Sequence, residues 1–213
     1  MKNVKKMNIA ILLVMAVFSI LQLFGMGIAG LSVCLGVVFF FIDKTINKTA
    51  LSDSGLNIKA IGRNLKERKI LLWLVLPTIL DALSIALSKL VMPEYIDHVL
   101  NRTEIFVSLD NILLLIVQLL VLALGEEIAW RAFFQKQVNQ FITIVPTLII
   151  SSILFAIGHI ASGSPIIVIY DIFFVFLNSI VYGIVFYKSQ NAWVSAISHF
   201  TANLFSIIVL VFL

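Results

Sequence analysis

The sequence predicts an all-α membrane protein, a polytopic bundle of about seven transmembrane helices with a cytoplasmic N-terminus. Three observations predict this class. The 213 residues are 61% hydrophobic and only 12% charged, unlike a soluble domain. The apolar runs are long and do not alternate, and in lipid each backbone amide must pair within its own segment. The positive residues concentrate in particular connections, which fixes an orientation.

The first apolar run covers residues 7–42 and contains no charge. As one helix it would be about 54 Å long, more than the roughly 30 Å of a hydrocarbon core. We therefore predict two spans joined by a turn at Gly25, Gly27 and Gly30. The basic start of the chain is similar to that of a signal peptide, but the length of the run favours a retained anchor.

A polar loop follows over residues 43–69. Together with three lysines at the start of the chain it holds ten of the fifteen Lys and Arg residues, which places both in the cytoplasm. A third span is predicted over residues 70–91. The acidic segment 92–108 then faces outward, and its histidine, His98, is predicted to be solvated.

The remaining four spans are predicted to begin near Asp110, Val145, Ile166 and Ala192. The single cysteine, Cys34, lies in an apolar run, so an internal disulfide and a cysteine-based metal cluster are excluded. The net charge is +4, and its meaning depends on where the charged residues lie along the chain. It does not indicate nucleic-acid binding. The lipid bilayer is the partner that the composition does indicate.

Ionisable residues in the fourth and later spans point to function, because each costs about 2.5 to 3.5 kcal/mol in the middle of a membrane helix. Glu126 and Glu127 stand side by side in an apolar helix. Glu127 and Arg131 are four residues apart and share a face, so we expect a buried ion pair, most simply a structural one. Glu126 points elsewhere and is left as an unpaired carboxylate, which suits a general base.

The histidines His159 and His199 extend this site. Glu126 and His159 each lie about 16 residues, or about 24 Å of helix, from a turn near Ile142, so they reach equal depth in antiparallel helices. We expect this pair to activate water. His199 and Asn203 are four residues apart on the last helix, and both can donate a hydrogen bond to an oxyanion.

Other catalytic or transport sites are not supported by the sequence. The zincin signature His-Glu-x-x-His and a rhomboid-like Gly-x-Ser-Gly run are absent. Asp171 follows a tyrosine as in one half of a presenilin-type aspartyl pair, but the second half is missing, so a structural role is favoured. A proton-coupled transporter is also less favoured, because the chain lacks repeated halves with broken helices.

Three motifs in order resemble those of the CAAX-protease and bacteriocin-processing (CPBP) family of intramembrane peptidases, also called Abi proteins. The resemblance covers about residues 111–210. It departs from the family at Trp130, where a smaller aromatic is usual, and at Ala132, where glycine is common. The matching motifs are Glu126-Glu127-x-x-x-Arg131, Phe155-x-x-x-His159 and His199-x-x-x-Asn203.

The resemblance implies a peptidase in which Glu126 and His159 activate water, His199 and Asn203 hold the oxyanion, and Glu127 and Arg131 orient Glu126. Family members are often labelled metalloproteases. His159, His199 and Glu126 would then be the ligands of a divalent metal such as zinc, with an open fourth position. A metal-free route uses the same residues, and the sequence does not choose between them.

The predicted organisation is one membrane domain in two parts. Residues 1–109 hold the N-terminal helices and the basic loop, and residues 110–213 form the catalytic core. The predicted substrate is a peptide or a membrane-associated protein, cleaved near the cytoplasmic face of what the composition suggests is a bacterial cell membrane. The alternative is a bacteriocin self-immunity or membrane interaction protein that does not require catalysis.

Overall fold

The computed structural model describes residues 2–23, 26–105, 107–109 and 111–213, and this part of the chain is helical almost throughout. The predicted all-α fold is therefore confirmed. The elements are α1 (Lys2–Ile20), β1 (Gln22–Leu23), β2 (Met26–Gly27), α2 (Ala29–Ile46), α3 (Leu51–Ser54), a 3₁₀ turn (Ile58–Ala60), α4 (Ile61–Lys66), α5 (Arg68–Val91), α6 (Tyr95–Glu104), α7 (Ile112–Glu127), a π-helical segment (Ile128–Gln135), α8 (Lys136–Val138), α9 (Ile144–Ile157), α10 (Pro165–Ser189) and α11 (Ala192–Val211).

Among the described residues, five helical segments are long and apolar enough to cross a membrane. Two further apolar helices, Lys6–Ile20 and Ile144–Ile157, are shorter. The chain is thus a multi-pass membrane protein by length and composition, while seven crossings and a cytoplasmic N-terminus stay predictions. The five longer segments are Ala29–Ile46, Arg68–Val91, Ile112–Val138, Pro165–Ser189 and Ala192–Val211.

The first apolar run folds back on itself, as its length predicted. Two antiparallel two-residue strands separate α1 from α2. Gly27 ends β2 and Gly30 lies in the first turn of α2, whereas Gly25 is outside the described residues. The buried Ser32 hydroxyl donates a hydrogen bond of 2.8 Å to the carbonyl of Met15, which ties the two helices together. The predicted start of the fourth span, Asp110, also lies outside the described residues.

Helix α2 crosses the π-helical segment at very short range. A Cβ atom added to Gly36 would lie 2.6 Å from the Cβ of Ala129 and 2.8 Å from its Cα. Small residues allow this approach, and in lipid such close packing is a main source of helix association. Gly36 therefore sets how closely the N-terminal helices contact the helix that carries Glu126.

We expect Gly36→Ala to lower the free energy of unfolding by about 1–3 kcal/mol, since the new methyl meets backbone that must move. Unfolding in detergent micelles would be followed by circular dichroism. Gly30→Ala on the same helix is the matched control, because nothing lies within 4 Å of a Cβ there. Equal midpoints for the two variants would show that the close crossing does not contribute to stability.

The core that positions the site is formed by α5, α7, α10 and α11, with α9 and the π-helical segment beside them. Helix α6 lies at one end of this bundle, which we call the α6 end. The polar segment between α2 and α5 lies at the other, the loop end. There the Lys136 ammonium donates hydrogen bonds of 3.2 Å to the carbonyls of Asp53 and Ser54.

Candidate active site

The helix that carries the two glutamates widens immediately after them. Residues Ile128–Gln135 form a π-helix, and all eight side chains are buried. π-helical turns are rare and are frequent at functional sites. Spacing rules that assume a regular α-helix do not reveal this change, which alters the directions in which the following side chains point.

Glu127 lies at the centre of the site and is completely buried. One carboxylate oxygen accepts a hydrogen bond of 3.3 Å from Nε of Arg131, so the predicted ion pair is confirmed. The other oxygen is 3.1 Å from Nδ1 of His199. Glu127 therefore links the α7 helix to α11, and both of its oxygens are in use.

Arg131 extends these contacts to two further helices. Its Nη2 donates a hydrogen bond of 3.0 Å to the Ser179 hydroxyl on α10. Its guanidinium lies 5.2 Å from the centre of the Phe155 ring on α9, a favourable cation–π geometry. Nη1 is buried and has no hydrogen-bond partner among the described residues. One arginine thus connects three of the helices around the site.

His199 lies between the two glutamates. Because a carboxylate can only accept, Nδ1 carries a hydrogen and donates it to Glu127. Nε2 is 3.7 Å from a carboxylate oxygen of Glu126. The imidazole stacks on Tyr182 with a centroid distance of 4.3 Å and an interplanar angle of 18°. His199 can therefore donate from Nε2 only as an imidazolium.

Glu126 is the open end of this chain of contacts. Its side chain is 20% exposed, whereas Glu127 and Arg131 are fully buried. Among the described residues, His199 is the only basic side chain that forms an ion-pair contact with Glu126, at 3.7 Å. Glu127 was predicted to orient Glu126, but its direct contact is with His199, through which any effect on Glu126 must pass. The contacts run from Arg131 through Glu127 and His199 to one accessible carboxylate.

His159 follows the end of α9. Its Nδ1 donates a hydrogen bond of 2.8 Å to the carbonyl of Phe155, and the two rings are 4.4 Å apart. In the neutral form Nε2 then keeps its lone pair. No ion pair joins His159 to a carboxylate in the described part of the chain, so its predicted cooperation with Glu126 is not a direct contact. Phe155 also packs edge-on against His199 at 6.1 Å, which brings both histidines to one ring.

Asn203 lies one turn beyond His199 on the same face of α11 and is half-buried. Its carboxamide forms no hydrogen bond with another described side chain or backbone group. The structure therefore places Asn203 beside His199 with a carboxamide that the described residues do not engage.

The three residues predicted as metal ligands do not form a metal site in this geometry. Within residues 2–23, 26–105, 107–109 and 111–213, no three His, Cys, Asp or Glu side chains converge enough to hold an ion. His199 already uses Nδ1 for Glu127, and His159 forms no ion pair with Glu126. A zinc ion held by Glu126, His159 and His199 would require His159 to approach the other two.

The prediction that His98 is solvated was wrong. His98 is only 9% exposed, and its Nε2 lies 3.5 Å from a carboxylate oxygen of Asp171. The same oxygen accepts a hydrogen bond of 2.7 Å from Arg102, whose guanidinium is also 3.5 Å from the carbonyl of His159. The acidic composition of the segment predicts that it faces outward, but α6 is amphipathic and packs one face, including His98, on the bundle. Arg102 thereby connects α6 to the turn that holds His159.

Sequence reasoning missed Asp81, an acid in the interior of α5. Its two oxygens accept hydrogen bonds of 2.5 Å from the Asn178 amide and 2.6 Å from the Ser206 hydroxyl. The signal was available, because an acid inside an apolar span marks function by the same rule that identified Glu126. Tyr182 gave no comparable signal, since an aromatic residue in an apolar helix is ordinary.

The two departures from the family motifs lie in well-packed surroundings. Trp130 is 3% exposed and packs edge-on against Phe155 with a centroid distance of 6.1 Å. The methyl group of Ala132 is also buried and lies 3.6 Å from the position of a Cβ on Gly55. Both residues therefore pack tightly around the helix that carries the two glutamates.

The second half of the sequence is similar to a known family. The family model described as type II CAAX prenyl endopeptidase Rce1-like matches residues 108–205, a segment that contains all three motifs. No curated protein and no solved structure is significantly similar to the chain.

Proposed function

Because residues 108–205 match the family model described as type II CAAX prenyl endopeptidase Rce1-like, we propose that this chain is an intramembrane endopeptidase in which Glu126 activates water. The substrate is a peptide or a membrane-associated protein. One observation carries the assignment of the base: contacts lead from buried Arg131 through Glu127 and His199 to Glu126, which is the partly exposed one of the two glutamates.

Glu126 and Glu127 have different chemistry although they are neighbours. The charge of Glu127 is balanced by Arg131 and both of its oxygens are occupied, so it is a poor proton acceptor. Glu126 has no arginine or lysine partner among the described residues, and its side chain is partly exposed. It removes a proton from water, the resulting hydroxide attacks the carbonyl carbon, and the same proton then passes to the departing amine as the C–N bond breaks.

The histidines divide the remaining tasks. His159 offers the lone pair of Nε2, because its other nitrogen is held by the carbonyl of Phe155, and it accepts a hydrogen bond from the attacking water. His199, as an imidazolium held by Glu127, donates from Nε2 to the oxyanion. Asn203 adds the N–H of its carboxamide from the same helix face. Preorganised donors of this kind contribute large parts of the acceleration in acyl transfer.

The proposed setting is a bacterial cell membrane, with the site reached from the cytoplasm. The observation in favour is the basic segment of residues 43–69 at the loop end, which the positive-inside rule assigns to the cytoplasm. In this scheme residues 1–109 support and orient a catalytic core formed by residues 110–213. Its partners are the substrate and the surrounding lipid.

The proposal is tested by comparing peptide termini in membranes and medium from cells that carry the wild-type protein, Glu126→Gln or Glu67→Gln at equal abundance. Glu67 is exposed and lies outside the site, so it is the matched control. We expect termini that are present in the wild type and the control and absent in Glu126→Gln. Identical termini in all three strains would exclude peptidase activity under the conditions used and favour an immunity or interaction protein. That role would persist after replacement of His159 or His199.

A further inference from the structure

A second polar cluster lies inside the bundle and has no part in the proposed hydrolysis. Asp81 on α5 is held by Asn178 on α10 and Ser206 on α11. Helix α10 also carries Ser179 and Tyr182, and α11 also carries His199. The cluster is therefore built from the helices that surround the active site.

No basic side chain among the described residues forms a direct ion pair with Asp81. No Lys, Arg or His nitrogen of the described residues lies within 4.0 Å of its carboxylate. The two arginines in this part of the bundle pair elsewhere, Arg102 with Asp171 and Arg131 with Glu127. Hydrogen bonds from an amide and a hydroxyl solvate a carboxylate only in part. An unbalanced carboxylate within a membrane helix is costly unless a cation or a proton joins it.

A second observation indicates what the cluster lacks. Asn178 is only 8% exposed, and its side-chain oxygen is buried without a hydrogen-bond partner among the residues described. Its nitrogen faces Asp81, as an ionised carboxylate requires because it can only accept. In this orientation of the amide, an acceptor oxygen remains free beside the Asp81 carboxylate. A group that carries both positive charge and N–H donors would satisfy the two at once.

The cluster lies next to the proposed site, on the side of the α6 end. Asn178 precedes Tyr182, which stacks on His199, by four residues, or about 6 Å of helix. Ser206 follows His199 by seven residues, or about 10 Å, on the same face of α11. Measured along α10 and α11, the two residues that hold Asp81 therefore lie about 6 and 10 Å from residues of the proposed site.

We propose that Asp81 and Asn178 form a subsite that binds an alkylammonium group of the substrate. The ammonium places its charge against the Asp81 carboxylate and donates N–H hydrogen bonds to Asp81 and to the free oxygen of Asn178. The group comes from a lysine side chain or from a free amino terminus close to the cleaved bond. The biological meaning of this subsite rests on the proposed peptidase function, whereas its binding chemistry does not.

Binding is measured on full-length protein with the Glu126→Gln substitution, in lipid nanodiscs, by infrared difference spectroscopy of the carboxylate bands. The probes are n-butylammonium, butyltrimethylammonium and sodium, all as chlorides at equal ionic strength. We expect n-butylammonium to perturb a carboxylate band with saturation. Butyltrimethylammonium has the charge but no N–H donor and should bind about tenfold more weakly or not at all.

Two variants assign the signal. Asp81→Asn in the same background should weaken n-butylammonium binding about tenfold or more, and Asp53→Asn, which changes an exposed acid, should leave it unchanged. The subsite is refuted if n-butylammonium has no saturable effect, if sodium or butyltrimethylammonium acts equally, or if the effect persists in Asp81→Asn. The comparison of the three cations uses no Asp81 variant, so it still tests the proposed subsite if the Asp81→Asn protein does not fold.

Two short alanine–leucine peptides distinguish the sources of the ammonium group. One is acetylated and contains a lysine, and the other has a free amino terminus and norleucine in place of the lysine. The peptide that reproduces the n-butylammonium signal names the source, and failure of both refutes a substrate subsite. If ammonium binds but no peptide termini depend on Glu126 in the comparison of strains, the peptidase function is refuted and the subsite is not. If such termini are found but ammonium does not bind, the subsite is refuted and the peptidase function is not.

Discussion

A Glu126→Gln variant should hydrolyse its substrate about 10²–10⁴-fold more slowly than the wild-type protein, the range expected for loss of a general base. Glutamine has the same shape but cannot take a proton from water. The fold should be little affected, because Glu126 is 20% exposed and its ion-pair contact with His199, at 3.7 Å, is long. The reduction should therefore appear in kcat, with similar thermal unfolding in detergent.

This result would be measured with purified protein and a peptide that spans a bond identified from the terminal comparison. Glu67→Gln provides a control that removes the same group from an exposed position, and its kcat should equal that of the wild type. A Glu126→Gln protein with unaltered kcat would exclude Glu126 as the base. Parallel loss of activity and folding would instead indicate a structural role.

An Arg131→Met variant should be less stable than the wild type by about 3–5 kcal/mol, the usual cost of removing one partner of a buried ion pair. Arg131 has no exposed surface, and it contacts Glu127, Ser179 and the ring of Phe155. Without the guanidinium, Glu127 remains buried beside His199 and has lost its ion-pair partner Arg131. Methionine fills similar space, so the loss of stability reports mainly on the charge.

Stability would be measured by denaturant titration in mixed micelles, with Arg63→Met as the control at an exposed position of α4. A second substitution, Glu127→Gln in the Arg131→Met protein, removes the stranded charge. We expect it to restore part of the lost stability, because a neutral side chain is less costly to bury. If Arg131→Met behaves like Arg63→Met, the buried pair does not stabilise the fold.

The sequence by itself determined the helices and the contacts made within one helix. The apolar segments had to be helical, because no water is present in the membrane to pair their backbone groups. The charge-free run of residues 7–42 had to fold back because it was too long for one crossing. The Glu127–Arg131 pair followed from its spacing, since residues four apart share a face whatever surrounds the helix.

The tertiary structure decided which groups from different helices meet. Glu127, rather than Glu126, takes Nδ1 of His199, and His159 lies on Phe155 without an ion pair to Glu126. Equal depth in antiparallel helices does not specify their rotation, tilt or separation. These depend on close crossings such as Gly36 with Ala129 and on the π-helical segment.

The burial of His98 and the position of Asp81 were decided in the same way. A short amphipathic helix becomes buried only when a bundle offers it a surface, and α6 finds one on α5, α10 and α11. An acid in a span becomes part of a site only when other helices bring donors to it, as Asn178 and Ser206 do for Asp81. The periodicity of a helix determines on which face a residue lies. Which other helix packs against that face depends on segments that are far apart in the chain.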